Sequence, residues 1–292
     1  MTNKTRSRKQ QPEPHSVVLR RLVKGGGSAV FVDDSGLPGK SGAPPPLDSD
    51  RKTWAAVFIP NDRMAVLVDA LEDALEELGS RFQAMEFHAC DIFNGKKGFR
   101  DLSVEQRLEP LAVMAELIEH FELPILVQSF DATTLATISG RLPPRAGMFS
   151  TADPAQAALA VLLGKVRIGL EETAMHHAPW DILVDEGLYK NGSVMRIAGW
   201  ERAIRFGEIR FVRSVDFLPL QLADFAAFAV NRMTHLVSKG GPPSVADKLL
   251  MRIAEGIKDH FVNLNYIEIH NLDELGDYRD KLVEMIRHGP AA

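Results

Sequence analysis

The chain has 292 residues, 45% of them hydrophobic and 25% charged, with a net charge of −5 and a pI near 6.0. That composition is ordinary for a globular protein long enough to bury a sizeable core in one large domain or two small ones, and it provides no global field to draw the chain to nucleic acid. Cys90 is the only cysteine, which excludes an intramolecular disulfide framework and a zinc site of several thiolates, and the expected setting is reducing and cytoplasmic. No apolar run approaches the roughly 18 residues of a membrane span, and the basic N-terminus lacks the apolar core of a signal peptide.

Residues 1–15 are polar, basic and proline-containing, and read as a disordered arm. After Gly25-Gly26-Gly27 comes Ala29-Val30-Phe31-Val32-Asp33-Asp34-Ser35-Gly36, a core strand that runs straight into two carboxylates and a turn. Side chains alternate along a strand, so Asp33 and Asp34 point to opposite faces and only one can serve a given site. The loop 36–50 is rich in Gly and Pro; its Gly39-Lys40-Ser41 lacks the earlier glycine and the following helix of a phosphate loop. Thr53–Ile59 reads as a second strand, the hairpin partner of the first.

Pro60-Asn61-Asp62 then opens a periodic helix with Gly79 at its stop. Phe82–Cys90 alternates, which predicts a strand with Glu86 and His88 on one face. A helix over 104–121, an apolar strand over Pro124–Phe130, an irregular loop over 139–150 and a helix over 154–175 follow. Asp181–Gly187 repeats the opening pattern, an apolar strand closing on Asp185 and Glu186. A helix at 192–206, a short strand at 209–213 and a very apolar helix over 218–237 complete the main body. The remainder, 241–292, reads as a helical extension on the same domain, with a short strand at Tyr266–Ile269. Strands alternating with helices after an initial hairpin predict an α/β fold, a mixed β-sheet flanked by helices, in one domain over 16–240.

Four places put a carboxylate where burial would make it costly: Asp33 or Asp34, Glu86, Asp185, and Asp224 inside an almost wholly apolar helix. Taken one at a time, each has a plainer reading as a turn, a solvated strand face or a helix-dipole partner. Four such coincidences are harder to explain that way. Hard carboxylate ligands without cysteine suit Mg²⁺ or Mn²⁺, and two such ions held by shared carboxylates are a common device for in-line attack on a phosphodiester. His88 is placed as an orienting residue or proton shuttle. Lys96, Lys97 and Arg100 are candidates to hold a phosphate backbone, and Gln221 lies on the same helix face as Asp224 as a further substrate contact.

The ordered set Phe31–Gly36, Glu86-Phe87-His88, Asn94–Phe99, Val184-Asp185-Glu186, and Ser214 followed by Gln221-Leu222-Ala223-Asp224 resembles domain-of-unknown-function family 3800. The resemblance covers about residues 28–237, where the family is considered ribonuclease-H-like. It implies that Asp33, Glu86, His88, Asp185 and Asp224 match the family's acids and histidine, with Asp34 where Glu is commoner. The expected activity is a metal-dependent phosphodiester hydrolase or nuclease acting on nucleic acid or a nucleotide. The alternatives are a non-catalytic nucleic-acid or protein-binding module, or a hydrolase of a small nucleotide phosphate ester. Neither residues nor resemblance sets DNA against RNA, or the oligomeric state.

Overall fold

The apolar run that opens the first strand is flanked on both sides by strands of the same kind, and around these the molecule is built. The structure, a computed structural model, describes residues 14–24, 27–36, 51–82, 86–138, 140, 143–173, 178–239, 241–263 and 279–290. In chain order the elements are α1 (His15–Val23), β1 (Ala29–Ser35), β2 (Lys52–Ile59), α2 (Asn61–Phe82), α3 (Ala89–Asn94) and α4 (Val104–His120). There follow β3 (Ile125–Phe130), α5 (Ala132–Ile138), β4 (Arg145–Ala146), β5 (Phe149–Ser150), α6 (Pro154–Thr173) and β6 (Trp180–Asp185). The last are β7 (Val194–Arg196), β8 (Ile204–Val212), α7 (Leu220–Lys239), α8 (Val245–Gly256) and α9 (Arg279–His288).

The main sheet has the order β3-β2-β1-β6-β8-β7. β1 pairs antiparallel with β2 and β2 antiparallel with β3, whereas β1–β6 and β6–β8 are parallel and β7 is an antiparallel edge. It is a mixed α/β sheet flanked by helices, as the alternation of elements predicts. Alternation along the strands feeds two cores. Ala29, Phe31 and Leu183 join the helices α1, α2, α3, α4, α7 and α8 on one face. Val30, Val32, Ile182 and Val184 join α6 and α9 on the other.

The C-terminal part packs on this frame. Arg232 of α7 donates to Asp247 of α8 at 2.8 Å, a buried pair. Asn263 both accepts from and donates to the Val127 backbone, at 2.9 and 2.8 Å, and Phe261 bridges to Ile125. The Asn263 and Phe261 contacts cover the outer edge of β3, a row of backbone groups that would otherwise stand open.

Several expectations are corrected. Phe82–Cys90 is not a strand among the described residues: α2 runs past Gly79 to Phe82, whose ring packs on Phe99 at 5.2 Å, and α3 begins at Ala89. The N–H groups of Phe87 and Ala89, which a strand would give to a neighbour, go instead to side chains of α7. The helix expected at 192–206 is a strand and turns: Gly192, Gly199 and Gly207 all have positive φ, and Val194–Arg196 pairs with β8. Arg196 and Glu208 face each other across these two strands, joined by a 2.5 Å ion pair. β8 is accordingly longer than the expected 209–213. Helix α1 was not legible as a helix, and its His15 lies within the span expected to be a disordered arm. Residues 1–13, most of the 36–50 loop and the expected strand at Tyr266–Ile269 lie outside the described residues.

Candidate functional site

Parallel pairing sets the site. Val32 of β1 is in register with Val184 of β6, so the next residues, Asp33 and Asp185, are neighbours on adjacent strands about 4.8 Å apart. Both follow the alternation of Phe31 and Leu183, toward the core under α7. From that helix Asp224, 7% exposed, and Gln221 one turn earlier come toward the same end of the sheet. The segment 86–88 is fastened across them. Phe87 N–H donates to Gln221 Oε1 at 2.9 Å, and Ala89 N–H donates to Asp224 Oδ2 at 2.7 Å. Ser214 O–H donates to Glu86 Oε2 at 2.7 Å.

Electrostatics show how near these acids are. The Asp33 carboxyl is held well above its usual range, by burial first and then by the charges of Asp224, Asp185 and Glu86, with Lys52 opposing. Asp224 is raised by burial and by Glu86, against His88 and the Ala89 N–H. Asp185 is raised by burial, Glu186 and Asp224, against the N–H groups of Glu186 and Gly187. Burial and mutual repulsion both disfavour the charged forms, the pattern of a cluster short of positive charge. His88 is half-exposed, its Nδ1 3.8 Å from Asp224 Oδ2, close enough for charge and too far for a hydrogen bond.

Asp34 lies on the opposite face, ion-paired to Lys52, whose Nζ also donates to the Gly36 carbonyl at 3.1 Å. Lys52 is a residue that sequence reasoning missed. It is the first residue of β2, buried beside Trp54, and burial lowers its pKa to about 8 against the charges of Asp33, Asp153 and Asp185. A signal was present: a lysine opening an apolar strand whose hairpin partner ends in acids.

The basic candidates are not drawn in. Lys97 donates to Asp91 at 2.7 Å, and Lys96 and Arg100 are exposed. Among the described residues no three His, Cys, Asp or Glu side chains stand close enough to hold one metal ion. The donor chemistry nonetheless suits a hard cation. Asp33, Asp185, Asp224 and Glu86 each have an N–H or O–H partner anchoring the carboxylate. That leaves acceptor capacity on every one of them. Gln221 is 4% exposed and its Nε2 has no acceptor among the described residues, an unmet donor beside the same 86–88 segment. No helix among the described residues is long and apolar enough to cross a membrane. No family model, curated protein or solved structure matches the chain.

Proposed function

We propose that the chain is a divalent-cation-dependent phosphodiester hydrolase, a nuclease with nucleic acid or a nucleotide as substrate, on a ribonuclease-H-like sheet of the family-3800 kind. The observation that carries this reading is the convergence of Asp33, Asp185, Asp224 and Glu86 from four separate segments, each of the three aspartates raised by burial and by its neighbours. Clustering buried acids without matching cations costs stability, which is consistent with a site that recruits positive charge from solution. The three-strand antiparallel meander continuing into parallel strands, with the acids on the central strand and its parallel neighbour, supports the fold assignment.

Asp33, Glu86, Asp185 and Asp224 would hold Mg²⁺ or Mn²⁺ by their carboxylate oxygens. A bound ion supplies Lewis-acid activation of water and neutralises phosphoryl charge. The protein's own groups do the rest. Gln221 Nε2, which has no acceptor among the described residues, would donate to an oxygen acceptor such as water or a phosphoryl oxygen. His88, at the exposed rim beside Asp224, is placed to take or give a proton at the leaving oxygen. The absence of a ready three-donor group among the described residues favours one second reading, a non-catalytic binding module on the same face.

Incubation with single- and double-stranded DNA and RNA, in Mn²⁺, Mg²⁺ or chelator, separates the two. The expected result is metal-dependent cleavage, reduced on the order of a hundredfold or more in Asp185→Asn. No cleavage of any substrate in either metal, by protein that still binds nucleic acid, would establish the binding module instead.

A further inference from the structure

The two acids that end β1 and β6 are each aimed by the backbone that follows them. Asp33 Oδ1 accepts the Asp34 N–H at 2.6 Å, and Asp185 accepts the N–H groups of Glu186 and Gly187. The direction of each carboxylate is set by the turn after its strand, so whatever holds that turn holds the carboxylate. On the opposite face of the sheet one ion pair, Lys52 with Asp34, stands behind both turns. We infer that Lys52 is a positioning residue for the metal site: acting through Asp34, it fixes the directions of the Asp33 and Asp185 carboxylates. The inference rests on the metal-site reading given above and adds a residue to it.

Register puts Lys52 in place. β1 and β2 pair Asp34 with Trp54 and Ser35 with Thr53, so Lys52 is the next residue along, on the face that Trp54 and Asp34 share. Its ammonium pairs with Asp34 Oδ2 and donates to the Gly36 carbonyl at 3.1 Å. These two contacts bracket Ser35 and clasp the end of β1. Gly36 is itself set close against β2: its φ is +101°, and a Cβ on it would overlap the Arg51 carbonyl oxygen. Asp34 reaches the second turn as well. A Cβ on Gly187 would lie 3.4 Å from Asp34 Oδ1, so the carboxylate held by Lys52 through one oxygen stands beside Gly187 with the other. The clasp therefore meets both the peptide that orients Asp33 and a residue whose N–H orients Asp185. Of the other acids whose charges reach Lys52, Asp153 is committed to its own helix, its Oδ1 accepting the Gln156 N–H at 2.9 Å.

Charge alone makes a different prediction from the clasp. Lys52→Met removes a positive charge near the acids and by charge alone would tighten cation binding, whereas Asp34→Asn removes a negative one and would weaken it. Opening the clasp weakens binding in both.

The test is Mn²⁺ binding to the full chain, read as free Mn²⁺ by electron paramagnetic resonance at a temperature where circular dichroism shows each protein folded. The expected result is a dissociation constant raised about tenfold in Lys52→Met, in Asp34→Asn and in the double variant alike, the low end of what losing a residue that orients a metal ligand costs. The three share one value because each opens the same clasp. If Lys52→Met does not fold, the double variant decides: it leaves neither charge unpaired, and charge alone predicts no change in it. Binding unchanged in these variants, or tighter in Lys52→Met and weaker in Asp34→Asn, overturns the positioning role and leaves the metal site standing. A wild-type chain that takes up no Mn²⁺ overturns the metal reading itself, and this inference with it.

Discussion

Lys52 stands where the two faces of the sheet meet. It pairs with Asp34 on one face while the charges of Asp33 and Asp185, on the other, act on it through the sheet end. Burial outweighs these attractions and lowers its pKa from 10.5 to about 8. Below about pH 8 the amine is charged in both folded and unfolded chains, and the fold bears the cost of a buried charge. Between about 8 and 10.5 the folded chain has released a proton that the unfolded chain keeps, so stability rises with pH through that window. Replacing Lys52 with Met should flatten that rise, measured by urea midpoints at pH 7, 8, 9 and 10. A wild-type midpoint that falls between pH 8 and 10 while the variant's does not would contradict the burial account. At neutral pH the same substitution should destabilise, because the half-buried Asp34 is left without its cation.

Among the elements, the segment joining α2 to α3 matters most for the site, and side chains rather than a strand partner hold it. Gln221 and Asp224 accept its N–H groups, Ser214 donates to Glu86, and downstream Phe99 packs on Phe82. Gly98 is set tightly against the end of α2: a Cβ there would lie 1.7 Å from the Phe82 carbonyl oxygen. Backbone cannot swing aside as a side-chain tip can, so Gly98→Ala should cost about 2–3 kcal/mol, the upper range for overpacking. Equilibrium urea unfolding checks this, and a loss under about 0.5 kcal/mol, the range of an ordinary surface change, would refute the contact. The alternating pattern that suggested a strand at 82–90 is partly real: Phe87 and Ala89 are buried and His88 is exposed. Extended backbone alternates whether or not a neighbouring strand accepts its hydrogen bonds.

For the whole molecule, the consequence is a fold whose most costly feature sits at one end of its central strands. If Mn²⁺ binds the folded chain and not the unfolded one, stability should rise with the logarithm of metal concentration, reaching about 2.7 kcal/mol at a hundred times the dissociation constant. Asp33→Asn should be as stable as the wild type, or more so, in chelator, since it removes a charge that burial and Asp224 penalise. It should also lose most of the Mn²⁺ effect. Thermal melts of both proteins across a Mn²⁺ series measure this. A wild-type melting temperature indifferent to metal, with Asp33→Asn clearly less stable, would make the cluster a structural network.

Local pattern by itself determined the strands β1, β2, β3 and β6, the pairing of β1 with β2 as a hairpin, the helices α2, α4, α6 and α7, the opposite facing of Asp33 and Asp34, and the choice of Asp224 as a buried acid worth explaining. These follow from periodicity and desolvation, which depend on residues near in sequence. Only the tertiary structure decided the rest. Parallel pairing of β1 with β6 made Asp33 and Asp185 neighbours across some 150 intervening positions, and no spacing rule encodes a register between strands so far apart. The partners of the 86–88 backbone lie on α7, more than 130 residues away, which is why an extended loop read as a strand. Lys52 acquired its lowered pKa, and Trp180 its unmet N–H, from burial that several distant elements impose together.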